Sequence, residues 1–201
     1  MIDLGPATEH DMVLAFIKAE VDSPRFGTPY QQGFEQVSSR GITRHMLIDN
    51  PDLASTQQNG WRIGFLRAVR GYRANTLLFP GFPEIVSWRR VGLEPADFSR
   101  LKYANHPTWA ALSGGTRLVV NGARNVDRVV VEDANDNIRS VEAALRRGVR
   151  YPELIGVDGD GGDIILVEGH TRATAYVLAQ LPDRVECIVG SSPAMNNWRF
   201  Y

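Results

Sequence analysis

Ile164-Ile165-Leu166-Val167-Glu168-Gly169-His170-Thr171-Arg172-Ala173-Thr174-Ala175-Tyr176 is an apolar run that stops at a glycine and continues as a helix-favouring run. Four apolar residues, three of them β-branched, predict a buried strand. A strand that turns through glycine into a helix leaves the first amide N–H groups unpaired, beside the positive end of the helix dipole. Such a corner suits an anion. His170, Thr171 and Arg172 fall in the first helical turn, where two potential cations and a hydroxyl join the backbone donors. Phosphate is the expected guest.

The bulk properties narrow the setting. The chain has 201 residues, 43% of them apolar and 22% charged, and is long enough to bury a sizeable core. A formal net charge of −1, from 22 basic and 23 acidic side chains, excludes a protein that coats nucleic acid by charge alone. All basic residues except Lys18 and Lys102 are arginine, a bias that a GC-rich genome would produce. Cys187, the single cysteine, excludes an internal disulfide and a cysteine-based zinc site. The N-terminus lacks the basic and apolar regions of a signal peptide, and no apolar run is long enough to span a bilayer. The expected setting is cytoplasmic, with no membrane.

Outward from the corner, the spacing predicts a first helix over Glu9 to Glu20, opened by a Thr8–Asp11 capping box, with Met12, Val13, Phe16 and Ile17 on its core face. A short helix is expected near Thr43 to Ile48 and another over Trp61 to Tyr72. On the latter, Arg62, Arg67, Arg70 and Arg73 fall within about 140° of arc, a stripe suited to a polyanion or to a solvated face. Pro95 suits the first position of a helix through Tyr103, and His106-Pro107 starts a shorter one. Arg117 to Asn121 and Arg128 to Glu132 are valine-rich strand candidates. A helix over Ile138 to Arg147, closed by Gly148, precedes a strand over Glu153 to Val157. The glycine-rich loop from Asp158 to Asp163 is a hairpin turn; it lacks the terminal glutamate of an EF-hand loop. The helix from Thr171 to Gln180 and a strand over Val185 to Val189 complete the order. The expected fold class is α+β, with a mostly helical region over 1–114 and a compact β-α-β-β-α-β domain over 115–201.

That order, with glycine and arginine at the strand-to-helix corner, resembles the ParB/sulfiredoxin superfamily over roughly residues 115 to 190. Gly169-His170-Thr171-Arg172 stands where its partition proteins carry Gly-Glu-Arg-Arg. Sulfiredoxins carry Gly-Cys-His-Arg there, and their catalytic cysteine is replaced by His170, so the resemblance does not extend to sulfinic-acid reduction. The chain ends at Tyr201, which leaves no room for the helix-turn-helix and dimerisation segments of the partition proteins. The superfamily's free-standing small-molecule kinases are nearer: their Asp-Gly-His-His-Arg corner is close to Glu168-Gly169-His170-Thr171-Arg172.

The resemblance implies a bacterial, nucleotide-dependent phosphotransferase or nucleotide hydrolase that binds ATP, ADP or CTP with Mg²⁺ and a small-molecule acceptor. Phosphoryl transfer asks for anion-stabilising donors and a carboxylate beside the attacking hydroxyl. Gly169, His170, Thr171 and Arg172 are the expected phosphate ligands, with Arg172 offering a forked contact. His170 is also a proton-shuttle candidate, and Glu168 a candidate base or Mg²⁺ ligand. Glu132 and Asp133 are further catalytic candidates, from a loop that faces the phosphate corner in this fold; helix capping is the competing role for Asp133 and Asp136. Two other readings stay open: a nucleotide-sensing or DNA-associated regulator using the arginine stripe, and a metal-dependent nuclease. Nucleic acid is not the favoured partner, and a homodimer stays open. Trp109 and the Trp198-Arg199-Phe200-Tyr201 tail are stacking candidates or a docked aromatic seal.

Overall fold

The computed structural model describes residues 1–23, 26–131, 134–180 and 182–201. In chain order the elements are β1 (Ile2–Ala7), α1 (Glu9–Glu20), α2 (Gly27–Ser38), α3 (Thr56–Arg70), β2 (Ser87–Leu93), β3 (Leu101–Lys102), α4 (Pro107–Leu112), α5 (Val119–Asn125), α6 (Ala134–Arg146), β4 (Leu154–Asp158), β5 (Ile164–Glu168), α7 (His170–Leu178) and β6 (Val185–Ser191). The fold is α+β, built on a mixed sheet of six strands in the order β1-β2-β6-β4-β5-β3.

Local chemistry accounts for most boundaries. The Thr8 hydroxyl accepts the Asp11 amide at 3.2 Å, and Asp11 accepts the Thr8 amide at 2.8 Å, a reciprocal cap that starts α1 where the spacing predicts. Ser55 accepts the Gln58 amide and starts α3 a turn and a half before Trp61. Gly71 ends α3 at φ 79°; a Cβ there would lie 2.2 Å from the Thr76 carbonyl oxygen, so only glycine fits. Pro95 opens a short 3-10 turn to Arg100, and the chain then extends into β3 instead of continuing as a helix through Tyr103. The 43–48 segment forms a single π turn over His45–Asp49.

Alternation along the strands divides two cores. Ile155, Val157, Ile165, Val167 and Ile188 face α1, α2 and α3, where Met12, Phe16, Ile17, Tyr30 and Leu66 are buried. Leu154, Ile164, Leu166, Cys187 and Val189 face the other way, against Val119 of α5 and Ala173 of α7. β4 pairs antiparallel to β5 and parallel to β6, while β5 pairs parallel to β3. The sheet runs across the change of character near residue 115, because β1, β2 and β3 share it with β4, β5 and β6.

Two strand expectations need correction. Residues 117–121 pair with β3 through one bridge only, Lys102 to Leu118, and then turn into α5. Valine favours strands weakly, and packing overrides it here: Val119 is fully buried, and Gly122 lets the Tyr103 ring approach to where a Cβ would sit. Residues 128–131 form no strand either, and Asn135 ties them down by accepting the Val131 amide and donating to the Val129 carbonyl. Among the described residues, no helix is long and apolar enough to cross a membrane.

The aromatic tail is docked. Trp198 is 2% exposed, its indole N–H donates to the Leu78 carbonyl at 2.8 Å, and its ring meets Phe82 edge-on at 5.5 Å. Trp198→Ala is expected to lower the unfolding free energy by about 3–5 kcal/mol, the usual cost of emptying a buried indole site. Urea denaturation followed by circular dichroism checks this; a loss below about 1 kcal/mol would mean that the tail is not part of the core.

Candidate functional site

The corner forms where the sequence places it. β5 ends at Glu168, Gly169 takes φ 95° as the residue capping α7, and the first helical bond runs from the Ala173 amide to the Gly169 carbonyl at 2.7 Å. A Cβ on Gly169 would approach Leu154 Cδ2 to 2.5 Å, so the turn needs glycine twice over. No side chain caps the helix, which leaves the amides of its first turn as the donors an anion would meet.

The side chains of the corner are arranged differently from the expectation. Arg172 is 5% exposed and points inward, where its guanidinium pairs with Glu168 and donates to the carbonyls of Pro152 and Glu153. Both its terminal nitrogens are committed, so Arg172 is a strut rather than an open phosphate fork. Glu168 is held by the same pair. His170 is half-buried, accepts the Ala104 amide on Nε2 at 3.2 Å, and lies nearly parallel to the Trp109 ring at 5.1 Å and the Tyr103 ring at 6.1 Å. Burial, followed by the charges of Arg70, His106, Arg172 and Arg117, pushes its pKa down to about 3. It is therefore a neutral imidazole with its proton on Nδ1, not a second cation. Thr171 is half-buried at the helix start. Glu132 and Asp133 lie outside the described residues.

A second set of charged and polar groups lies in the helical layer, on α1, α2 and α3. Glu20, the last residue of α1, is 2% exposed; it pairs with Arg70 at 2.9 Å and accepts the Tyr30 hydroxyl at 3.0 Å. Burial raises its pKa to about 7, with Arg70 opposing the shift and the negative charge of Glu168 adding to it. Arg70 lies over the Phe26 ring at 3.9 Å, and its Nε is a buried donor without a partner among the described residues. Glu20, Tyr30 and Arg70 thus share an electrostatic neighbourhood with Glu168, His170 and Arg172. Glu20 was legible in principle: it stands three and four residues after Ile17 and Phe16, on the apolar stripe of α1, where a carboxylate is out of place.

The arginine stripe separates. Arg62 is 1% exposed and donates to the carbonyls of Leu47 at 3.0 Å and Asp52 at 2.9 Å, a brace inside the helical layer. Arg70 pairs with Glu20 and Arg73 with Glu9 at 2.7 Å, while Arg67 is exposed. In the Asp158–Asp163 loop, Asp158 pairs with Arg89 and Asp163 with Lys102. Among the described residues, no group of three or more His, Cys, Asp or Glu side chains is placed to hold a metal ion.

The raised pKa of Glu20 has a sign that can be tested. An unfolded glutamate ionises near its ordinary value of 4.5, so folding favours the protonated form, and this contribution to stability is lost as pH rises from about 4.5 through about 7. Unfolding by urea at pH 5, 6, 7 and 8 is expected to show the wild type losing stability over that interval, with Glu20→Gln nearly flat. Parallel curves for the two proteins would show that Glu20 ionises normally. Searches against known protein families, characterised proteins and solved structures give no match to this chain, so the site rests on its own geometry.

Proposed function

We propose that the protein is a phosphotransferase or nucleotide hydrolase whose phosphate site is the first turn of α7 and whose acid–base group is Glu20. The observation that carries the reading is a carboxylate that is 2% exposed, paired with Arg70 and bonded by the Tyr30 hydroxyl; burial pushes its pKa up, and the charges of Glu168 and Arg172 act on it. A buried carboxylate at such a pKa is unfavourable as scaffold and suited to proton transfer at neutral pH.

The roles follow from the contacts. The amides of His170, Thr171 and Arg172, with the Thr171 hydroxyl, receive phosphate oxygens. Arg70 is about one-fifth exposed, and its buried Nε has no partner among the described residues, which makes Arg70 our candidate cation for a charge-assisted bond through its exposed edge. Arg172 and Glu168 hold the corner in shape. Neutral His170, stacked on Trp109, accepts a backbone amide and orients the aromatic wall. In the transfer step, the acceptor oxygen forms a bond to the terminal phosphorus of the nucleotide, the bridging P–O bond breaks with its electron pair leaving on the shortened nucleotide (a diphosphate from ATP or CTP, a monophosphate from ADP), and the acceptor proton goes to Glu20. Water as acceptor gives the hydrolase. ATP, ADP and CTP remain the candidate nucleotides. The fit for Mg²⁺ is poor, since Glu168 is tied to Arg172 and, among the described residues, no other carboxylate joins it in a ligand set, so no step is routed through the metal.

Calorimetry with ATP, ADP and CTP, each with Mg²⁺, tests binding, and ³¹P NMR of the mixtures tests turnover. One of the three is expected to bind at millimolar concentration or better. Arg70→Ala is expected to weaken that binding about tenfold, and Glu20→Gln to bind while turning over about 10²–10⁴-fold more slowly, the usual contribution of a general base. Absence of binding by all three nucleotides, or full turnover in Glu20→Gln, would contradict the proposal.

A further inference from the structure

Tyr30 is a buried ionisable group that the proposed transfer step does not use. On α2, Tyr30, Phe34 and Val37 recur at helical spacing and are buried in the core that α1 and α3 share. Phenylalanine would serve packing alone, yet the residue at 0% exposure is a tyrosine. A hydroxyl in such a place costs stability unless it is bonded, and its partner among the described residues is Glu20 Oε2, at 3.0 Å.

The backbone fixes where that hydroxyl stands. The Gly27 amide, at the start of α2, bonds to the Ser23 carbonyl at 2.8 Å, and a Cβ on Gly27 would lie 2.7 Å from the Val21 carbonyl oxygen. Glycine therefore lets α2 begin hard against the end of α1, and Tyr30 follows within the first turn, beside Glu20. Further along α2, the Phe65 ring of α3 occupies the space over Gly33, where a Cβ would meet it at 2.8 Å. The helix that carries Tyr30 is thus seated against both of its neighbours.

Two donors from two helices meet one carboxylate. Arg70 pairs with Glu20 Oε1 at 2.9 Å and Tyr30 donates to Oε2, so both oxygens are held and the plane of the group is set. Arg70 is also the cation offered to phosphate, so a bound nucleotide would divide it between two anions, whereas the Tyr30 hydroxyl stays with Glu20. We infer that Tyr30 is a positioning residue whose hydroxyl fixes the Glu20 carboxylate and stabilises its charged form, a role that rests on Glu20 being the proton acceptor proposed above. The charges acting on the pair come from three elements: Arg70 of α3, Glu168 of β5 and Arg172 of α7. Burial pushes the Glu20 carboxyl up to about 7; Arg70, Tyr30 and Arg172 oppose that shift and Glu168 adds to it. Burial, followed by the charge of Glu20, pushes the phenol far above its ordinary range. Tyr30 therefore keeps its proton and acts as a fixed donor, not as a second base.

Tyr30→Phe removes the hydroxyl and keeps the ring in the core. In the full chain, a ¹³C titration of the side-chain carboxyls is expected to show the Glu20 midpoint rising by about one unit, to about 8, once the bond to its charged form is lost. The ionised fraction at pH 7 then falls from about one-half to about one-tenth. With whichever of ATP, ADP and CTP turns over, kcat at pH 7 is accordingly expected to fall about fivefold with KM unchanged, and to return to within about twofold of wild type at pH 9. A midpoint that stays or falls would overturn the inference, as would a loss of kcat that is the same at both pH values. If the wild type turns over none of the nucleotides, the proposed reaction fails and the midpoint alone decides: a rise upholds the hold of Tyr30 on Glu20, and no rise removes it.

Discussion

The guanidinium of Arg172, closed against Glu168 and the carbonyls of Pro152 and Glu153, joins the end of β5, the first turn of α7 and the segment entering β4. These bonds add to the β4–β5 pairing that sets Ile155 opposite Glu168, and the geometry of the corner depends on them. The guanidinium is 5% exposed, and its two terminal nitrogens both donate to oxygens, as burial of a charge requires. Removing one partner of such a pair leaves a buried charge uncompensated, at a cost of about 3–5 kcal/mol. The arginine that the motif presents as a ligand is therefore the residue that shapes the corner.

That commitment shifts the chemistry to other groups. With Arg172 and Glu168 neutralising each other and His170 held neutral, the local surplus of function-bearing groups comes from the helical layer. Arg70 arrives from α3 and Glu20 from α1. The two halves of the chain thus contribute unlike parts: 115–201 brings the amides of a helix start, and 1–114 brings a carboxylate, a phenol and a guanidinium. The charges act on one another through a poorly solvated space, which is why the carboxylate of Glu20 is displaced so far from its ordinary range.

How much of this was legible in the sequence differs by element, and the reasons are physical. α1 was readable to the residue because the Thr8–Asp11 cap and the 12, 13, 16, 17 stripe are local signals. β5, Gly169 and α7 were readable because a strand, a glycine and a helix follow one another without interruption. β1 and β2 were not, since β1 is a half-exposed edge strand containing Pro6, and β2 carries Arg89 and Arg90 at its centre. Valines at 119 and 120 suggested a strand and belong to a helix, because their burial against α7 is a tertiary fact. In the site, the glycine corner was visible, whereas the inward turn of Arg172 was not: local sequence sets where a side chain starts, and only the fold shows which oxygens it meets. Glu20 left a trace as a carboxylate on an apolar stripe, yet its partners Tyr30 and Arg70 lie 10 and 50 positions away and carry no shared motif.

The central claim is that burial in the helical layer, against Arg70 and Tyr30, leaves Glu20 poised to exchange a proton at neutral pH. A ¹³C NMR titration of the glutamate side-chain carboxyls, with Glu20 assigned by its absence in Glu20→Gln, tests this most directly. The account predicts a midpoint of about 7 for Glu20. A midpoint at or below the ordinary glutamate value near 4.5 would contradict it.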